Sequence, residues 1–147
     1  MSNSILYEKS LAKVIIFGIL TLGIYSIWFS YAYHCDTDVL CEGDGKEGPS
    51  YLMVWLLSFA TLGIYSFIWI YNLGNRLQDN SDRYGVKIRE DGTALLIWSL
   101  LFPIMASYFM ISNQNAMIRA YNEKLKLSDP KANEQTTYAP PPPLYIK

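Results

Sequence analysis

The chain has 147 residues, 51% hydrophobic, 15% aromatic and 17% charged, with a formal charge of −1. This is apolar-rich and charge-poor for a water-soluble domain. Scattered Lys and Arg at near-neutral charge exclude a nucleic-acid partner, which needs a dense basic face, and two cysteines are too few for a disulfide framework.

Residues 1–13 carry Lys9 and Lys13 ahead of the first charge-free run. That run ends in Ser30-Tyr31-Ala32-Tyr33, without the small residues of a cleavage site, so it is expected to stay as an anchor. Residues 14–33, 51–73 and 94–111 contain no Asp, Glu, Lys or Arg, and each is about long enough for one helix to cross the hydrocarbon core. A surface helix of a soluble domain carries a polar stripe; these runs do not. The fold class expected is an all-α membrane protein with about three hydrophobic helices. They form a membrane domain over 14–127, between an N-terminal cytoplasmic segment over 1–13 and a disordered proline-rich tail over 128–147.

The first two runs share an internal repeat. Thr21-Leu22-Gly23-Ile24-Tyr25-Ser26 recurs unchanged forty positions later as Thr61-Leu62-Gly63-Ile64-Tyr65-Ser66, which points to duplication of a membrane-segment unit. Each hexapeptide lies mid-run, so a straight span puts Thr21, Gly23, Tyr25, Ser26, Thr61, Gly63, Tyr65 and Ser66 near the bilayer centre. There the glycines read as helix-packing positions. A broken helix lining a polar site is the alternative, and it usually comes with an intramembrane charge that is lacking here.

The first loop, 34–50, is acidic and glycine-rich, and the second, 72–93, carries Arg76, Arg83, Lys87 and Arg89 and begins as an extension of the preceding helix. Beyond the third run, Met117, Ala120, Tyr121 and Leu125 fall at helical spacing within an amphipathic helix over 116–127. The cytoplasmic bias of basic residues puts the N-terminus inside, the loop with Cys35 and Cys41 outside, and the second loop inside. Three full spans then leave Arg119, Lys124, Lys126, Lys131 and Lys147 outside, against that bias. Pro103 offers a re-entrant hairpin as the alternative, but three full spans are the expectation, because single prolines are tolerated in membrane helices.

His34, Cys35, Asp36, Asp38, Cys41 and Glu42 are metal-ligand residue types, but their spacing fits neither a zinc knuckle nor a calcium loop. Gly43-Asp44-Gly45-Lys46 lacks the strand and helix of a phosphate loop and reads as a turn. No nucleophile, zinc-protease or Walker motif occurs, so no enzyme, cofactor or metal is expected. Pro140-Pro141-Pro142-Pro143-Leu144-Tyr145 contains a Pro-Pro-x-Tyr pattern of the kind WW domains bind.

The twin hexapeptides, the Cys41–Lys46 loop with Gly43, Asp44, Gly45 and Lys46, the stretch Gly74-Asn75-Arg76-Leu77-Gln78, Arg83-Tyr84-Gly85 and Asn113-x-Asn115 together resemble a bacterial multi-pass membrane family, domain of unknown function 4234. The resemblance runs over about 15–122. Members typically carry a basic residue where this chain has Asn72-Leu73. The resemblance implies a multi-pass envelope protein without an assigned activity, and a bacterial host removes the WW-domain reading.

Two functions follow as expectations. One is an interaction, scaffold or accessory protein of the cell membrane, in contact with the lipid bilayer and packing against a protein partner or copies of itself. The other is a binder or conduit for a small molecule or ion, favoured by the paired Gly-Ile-Tyr-Ser segments.

Overall fold

The computed structural model describes residues 5–21, 23–46 and 49–128. Among them are six α-helices and no strand: α1 (Leu11–Leu20), α2 (Ile24–Leu40), α3 (Tyr51–Ala60), α4 (Ile64–Ser81), α5 (Gly92–Leu101) and α6 (Pro103–Ser128), with a 3-10 turn at Asp82–Tyr84 after α4. The all-α expectation holds. The spans over 14–33, 51–73 and 94–111 do not, because each run is broken in the middle, and no helix among the described residues is long and apolar enough to cross a membrane. Each apolar run is a helical hairpin: α1 folds back on α2, α3 on α4, and α5 on α6. The reversal considered at Pro103 for the third run is found in all three.

The breaks have local causes. Gly23 (φ 93°) and Gly63 (φ 92°) sit in the left-handed region where a glycine carries no steric penalty. At the third break, the residue before a proline is pushed out of the helical region, and Phe102 is extended at φ −144°, ψ 84°. Pro103 then opens α6 at the one helix position where its missing N–H costs nothing.

The second arms, α2, α4 and α6, run side by side in one direction. Tyr33 Oη donates to Met110 O (3.1 Å), Gln114 Nε2 donates to Tyr33 O (2.8 Å) and Thr37 Oγ1 (2.9 Å), and Trp69 Nε1 donates to His34 Nδ1 (3.3 Å). All three turns therefore lie at one end, the tips, and the loops lie at the other, the base. α5 lies against α4 at the closest backbone approach: a Cβ built on Gly92 would stand 2.0 Å from Tyr71 O, and one on Gly74 would stand 2.8 Å from Gly92 Cα. Asn75 Oδ1 accepts from Gly92 N (2.9 Å), and Asp91 Oδ1 caps α5 by accepting from Ala94 N (2.7 Å).

The buried apolar side chains gather towards the base. Tyr33, Leu73, Leu95 and Met110 form one cluster, and Leu6, Leu40, Cys41, Leu77, Ile88, Met117, Ile118 and Tyr121 form a second. Met117, Tyr121 and Leu125 pack there as their helical spacing predicts, within a helix that runs unbroken from Pro103. The N-terminal segment before α1 is tied to α6 by two asparagines. Asn122 pairs with the main chain of Leu6 in both directions (3.1 and 2.7 Å), and Asn115 does the same with Lys9 (2.7 and 2.7 Å). Residues 129–147, and with them the Pro-Pro-x-Tyr pattern, lie outside the described residues.

Candidate functional site

The tips are built by the repeated hexapeptide. Thr61 Oγ1 donates to Leu57 O (2.7 Å) at the end of α3 and accepts from Tyr65 N (3.0 Å) in the first turn of α4, so one hydroxyl caps both arms. Thr21 does the same between Phe17 O (2.6 Å) and Tyr25 N (2.9 Å). Gly63 N reaches back to Ser58 O (2.7 Å) and Gly23 N to Gly18 O (2.8 Å), the reach expected of a glycine closing a helix. Every amide from Thr61 to Ser66 has a partner within its own hairpin. Ser66 Oγ donates to Ser58 Oγ (3.0 Å) between the arms of the second hairpin, whereas in the first hairpin Gly18 stands where the repeat has Ser58 and leaves room for Ser26.

Among the described residues nothing lies within 4 Å of a Cβ built on Gly23 or Gly63, so neither is a contact position between this chain's own helices. They are turn residues. The close-contact glycines are Gly74 and Gly92.

Around the tips the apolar side chains point outward. Leu62 is 96% exposed and Phe59 78%, and Ile19, Leu20, Ile24, Ile64, Leu100, Leu101, Phe102 and Ile104 are exposed with them. A contiguous apolar surface of this kind is unusual on a water-soluble monomer. Leu62 also holds a left-handed φ of 53°, a conformation that disfavours a branched side chain. From turn to first strongly polar residue, the second arms run from Gly23 to His34, Gly63 to Asn72 and Pro103 to Ser112, about 14–16 Å at the helical rise. Hydroxyls in this zone are satisfied internally: Ser30 Oγ donates to Ser26 O (2.9 Å) and Ser107 Oγ to Pro103 O (3.0 Å).

The base is the opposite. Arg76, with a side chain 13% exposed, donates from Nε to Asp44 Oδ2 (2.8 Å) and from Nη1 to Asp38 Oδ1 (2.5 Å). Gly43 and Gly45, both at positive φ, turn the loop so that Asp44 also accepts from Lys46 N (2.9 Å) and Asn80 Nδ2 (3.2 Å). Burial raises the Asp44 carboxyl, but the bonds from Arg76, the Lys46 amide and Asn80 outweigh it and hold the group below its usual range. Arg83 Nη2 donates to Glu42 O (3.0 Å), Tyr84 Oη donates to Leu40 O (2.6 Å), and Lys46 Nζ pairs with Asp79 (2.7 Å). Lys9 pairs with Asp36, where burial pushes the lysine down and the aspartate up against their mutual attraction.

His34 is buried, with Nε2 3.5 Å from Asp38 Oδ2, and burial lowers its pKa. Cys35 and Cys41 are unpaired, and burial pushes the Cys41 thiol up to about 12. Among the described residues no group of three or more His, Cys, Asp or Glu is placed to hold a metal.

These pairs correct the expected topology. The first loop and the second loop, read as facing opposite sides of a bilayer, are joined through Arg76, and the N-terminal Lys9 is joined to the first loop at Asp36. They share one face. The scattered motifs Gly43–Lys46, Gly74-Asn75-Arg76 and Arg83-Tyr84-Gly85 meet at this base, where Gly85 turns the chain at φ 66° after Tyr84.

Residues 9–79 match the family described as Domain of unknown function (DUF4234). The DUF4234 match takes in both Thr-Leu-Gly turns, Asp38, Asp44 and Arg76. It stops short of Arg83-Tyr84-Gly85, the third hairpin and Asn113-x-Asn115, and so covers less than the 15–122 over which the motifs resemble the family. No curated protein and no solved structure matches the chain.

The sequence offers a hairpin only for the third run, at Pro103; in the first two the signal is Gly23 and Gly63 at mid-run, which read from sequence as packing positions of straight helices. Asn115 and Asn122, which strap the N-terminal segment, gave no sequence signal as a pair.

Proposed function

We propose that this chain is a non-enzymatic protein of the cell membrane that enters one leaflet through its three helical hairpins and presents its ion-paired base as an interaction or scaffold surface. One observation carries the reading: exposed apolar side chains concentrate at the tips, where the turn amides and hydroxyls are already bonded within each hairpin. Hydrocarbon demands this, because it offers no partner to a free backbone group. The depth of about 14–16 Å is half of a hydrocarbon core of about 30 Å. Tyr71, exposed one residue before Asn72, lies at the level where the polar residues begin, in keeping with an interfacial aromatic. Lys13, Lys87, Arg89, Arg119 and Lys124 lie at the base end, which favours the cytoplasmic side for that face.

The test is side-specific labelling. Glu8→Cys, Lys46→Cys, Lys87→Cys and Glu123→Cys each replace an exposed residue at the base. In sealed vesicles an impermeant thiol reagent is expected to treat all four alike. Alternating reactivity, with Glu8→Cys and Lys87→Cys opposite to Lys46→Cys and Glu123→Cys, belongs to three full spans and overturns the reading.

A second reading rests on an open apolar groove of about 300 Å³ lined by Ile27, Tyr31, Tyr51, Leu52 and Trp55, between the first and second hairpins. It favours a binder of one small amphiphile, read out as a lipid or metabolite retained through purification and lost on Leu52→Trp.

A further inference from the structure

We propose that this chain bends the membrane it enters, by adding area to one leaflet and none to the other; the inference rests on the one-leaflet insertion proposed above. Three features of the fold lead to it. The first is depth. All three tips end about 14–16 Å beyond the first polar residues of their second arms, so the six arms stop near the bilayer midplane. At a helix diameter of about 10 Å, six arms displace about 500 Å² of one leaflet.

The second feature is a folded body at the base of the arms. At the base, α2, α4 and α6 are joined by the N-terminal segment at Leu6 and Lys9, the Gly43–Lys46 turn, Arg83-Tyr84 and Ile88, all packed or bonded around them. This folded body stands at headgroup level on the side that the arms enter.

The third feature is stiffness. A set of hairpins able to splay would let lipid fill the space between arms and would relieve the area mismatch. These arms are fixed at the base by Arg76 to Asp38 and Asp44, by Lys9 to Asp36 and by Gln114 to Tyr33 and Thr37. α4 and α5 are held at backbone contact by Gly74 and Gly92. A stiff body confined to one leaflet favours a surface that is convex on its own side, the same asymmetry that makes interfacial helices curvature-sensitive.

The experiment uses the full chain with a C-terminal fluorophore, delivered from detergent to preformed giant vesicles of dioleoylphosphatidylcholine and dioleoylphosphatidylglycerol so that the base faces outward. Nanotubes are drawn from the vesicles. Protein density per lipid on the tube is expected to exceed that on the parent vesicle by about threefold and to rise as the tube narrows. Equal densities, with the protein resistant to carbonate extraction, overturn bending and leave insertion standing. Protein removed by carbonate overturns insertion and bending together.

Leu62→Asp supplies the control. Leu62 is almost fully exposed at a left-handed φ that Asp adopts more readily, so the folded body is kept while one tip is expelled. Enrichment on tubes is expected to fall towards unity in Leu62→Asp, and unchanged enrichment rules out the tips as its source.

Discussion

The tip and base ends of this molecule are made of the same six helices, yet they are held by different kinds of interaction. At a tip, the bonds are local: Thr61 joins Leu57 to Tyr65, Gly63 joins Ser58, and the side chains around them face outward. At the base, they cross the chain: Arg76 meets Asp44, Asn115 meets Lys9, Asn122 meets Leu6, and Gln114 meets Thr37. A locally satisfied element can be copied along a chain as a unit, and the hexapeptide is repeated intact. A cross-chain network cannot, and no base residue pair recurs at the forty-residue spacing among those described here.

If that division is right, the largest effect of a single change belongs to the base. Arg76→Ala leaves Asp44, 9% exposed at its side chain, without its cationic partner. Removing one member of a partly buried, multiply bonded charge pair costs about 2–3 kcal/mol, so thermal unfolding in detergent should show a lowered midpoint. A loss below that of a tip change would mean that charge pairing does not hold the base.

A tip change is expected to cost less. Thr61→Val removes both bonds of the shared hydroxyl while keeping its shape, a loss of about 1–2 kcal/mol. Thr21→Val should match it, and the double variant should be additive, since the two turns share no partner. Strong coupling between the two in a double-mutant cycle would show that the tips are not independent units.

The smallest effect is a pH dependence confined to the base. His34 accepts a bond from Trp69 and faces Asp38, with Arg76 nearby, and burial lowers its pKa below the ordinary 6.5. A histidine whose folded value is depressed contributes stability that is full above 6.5 and is lost as pH falls below it. The unfolding midpoint should therefore drop on acidification below this value, and His34→Gln should flatten the response. An unchanged slope in His34→Gln would assign the dependence to another group.

The sequence by itself determined the local features. The charge-free runs fixed the helical class, the helical spacing of Met117, Tyr121 and Leu125 fixed the buried face of the last helix, and the forty-residue repeat marked a duplicated unit. Even the turns were written there, as Thr-Leu-Gly and Phe-Pro at mid-run, although a run of apolar residues carries the same hydropathy whether it is straight or folded back. Hydropathy measures composition along a segment and is blind to direction.

Only the tertiary structure decided that the arms reverse, because reversal shows in which distant groups meet. Lys9 lies against Asp36, and Arg76 against Asp38 and Asp44, so loops that alternate in sequence share one face. The role of each glycine was settled in the same way: Gly63 turns the chain because its φ is positive, whereas Gly74 and Gly92 bring two helices together because a neighbour's backbone fills the space of a missing Cβ.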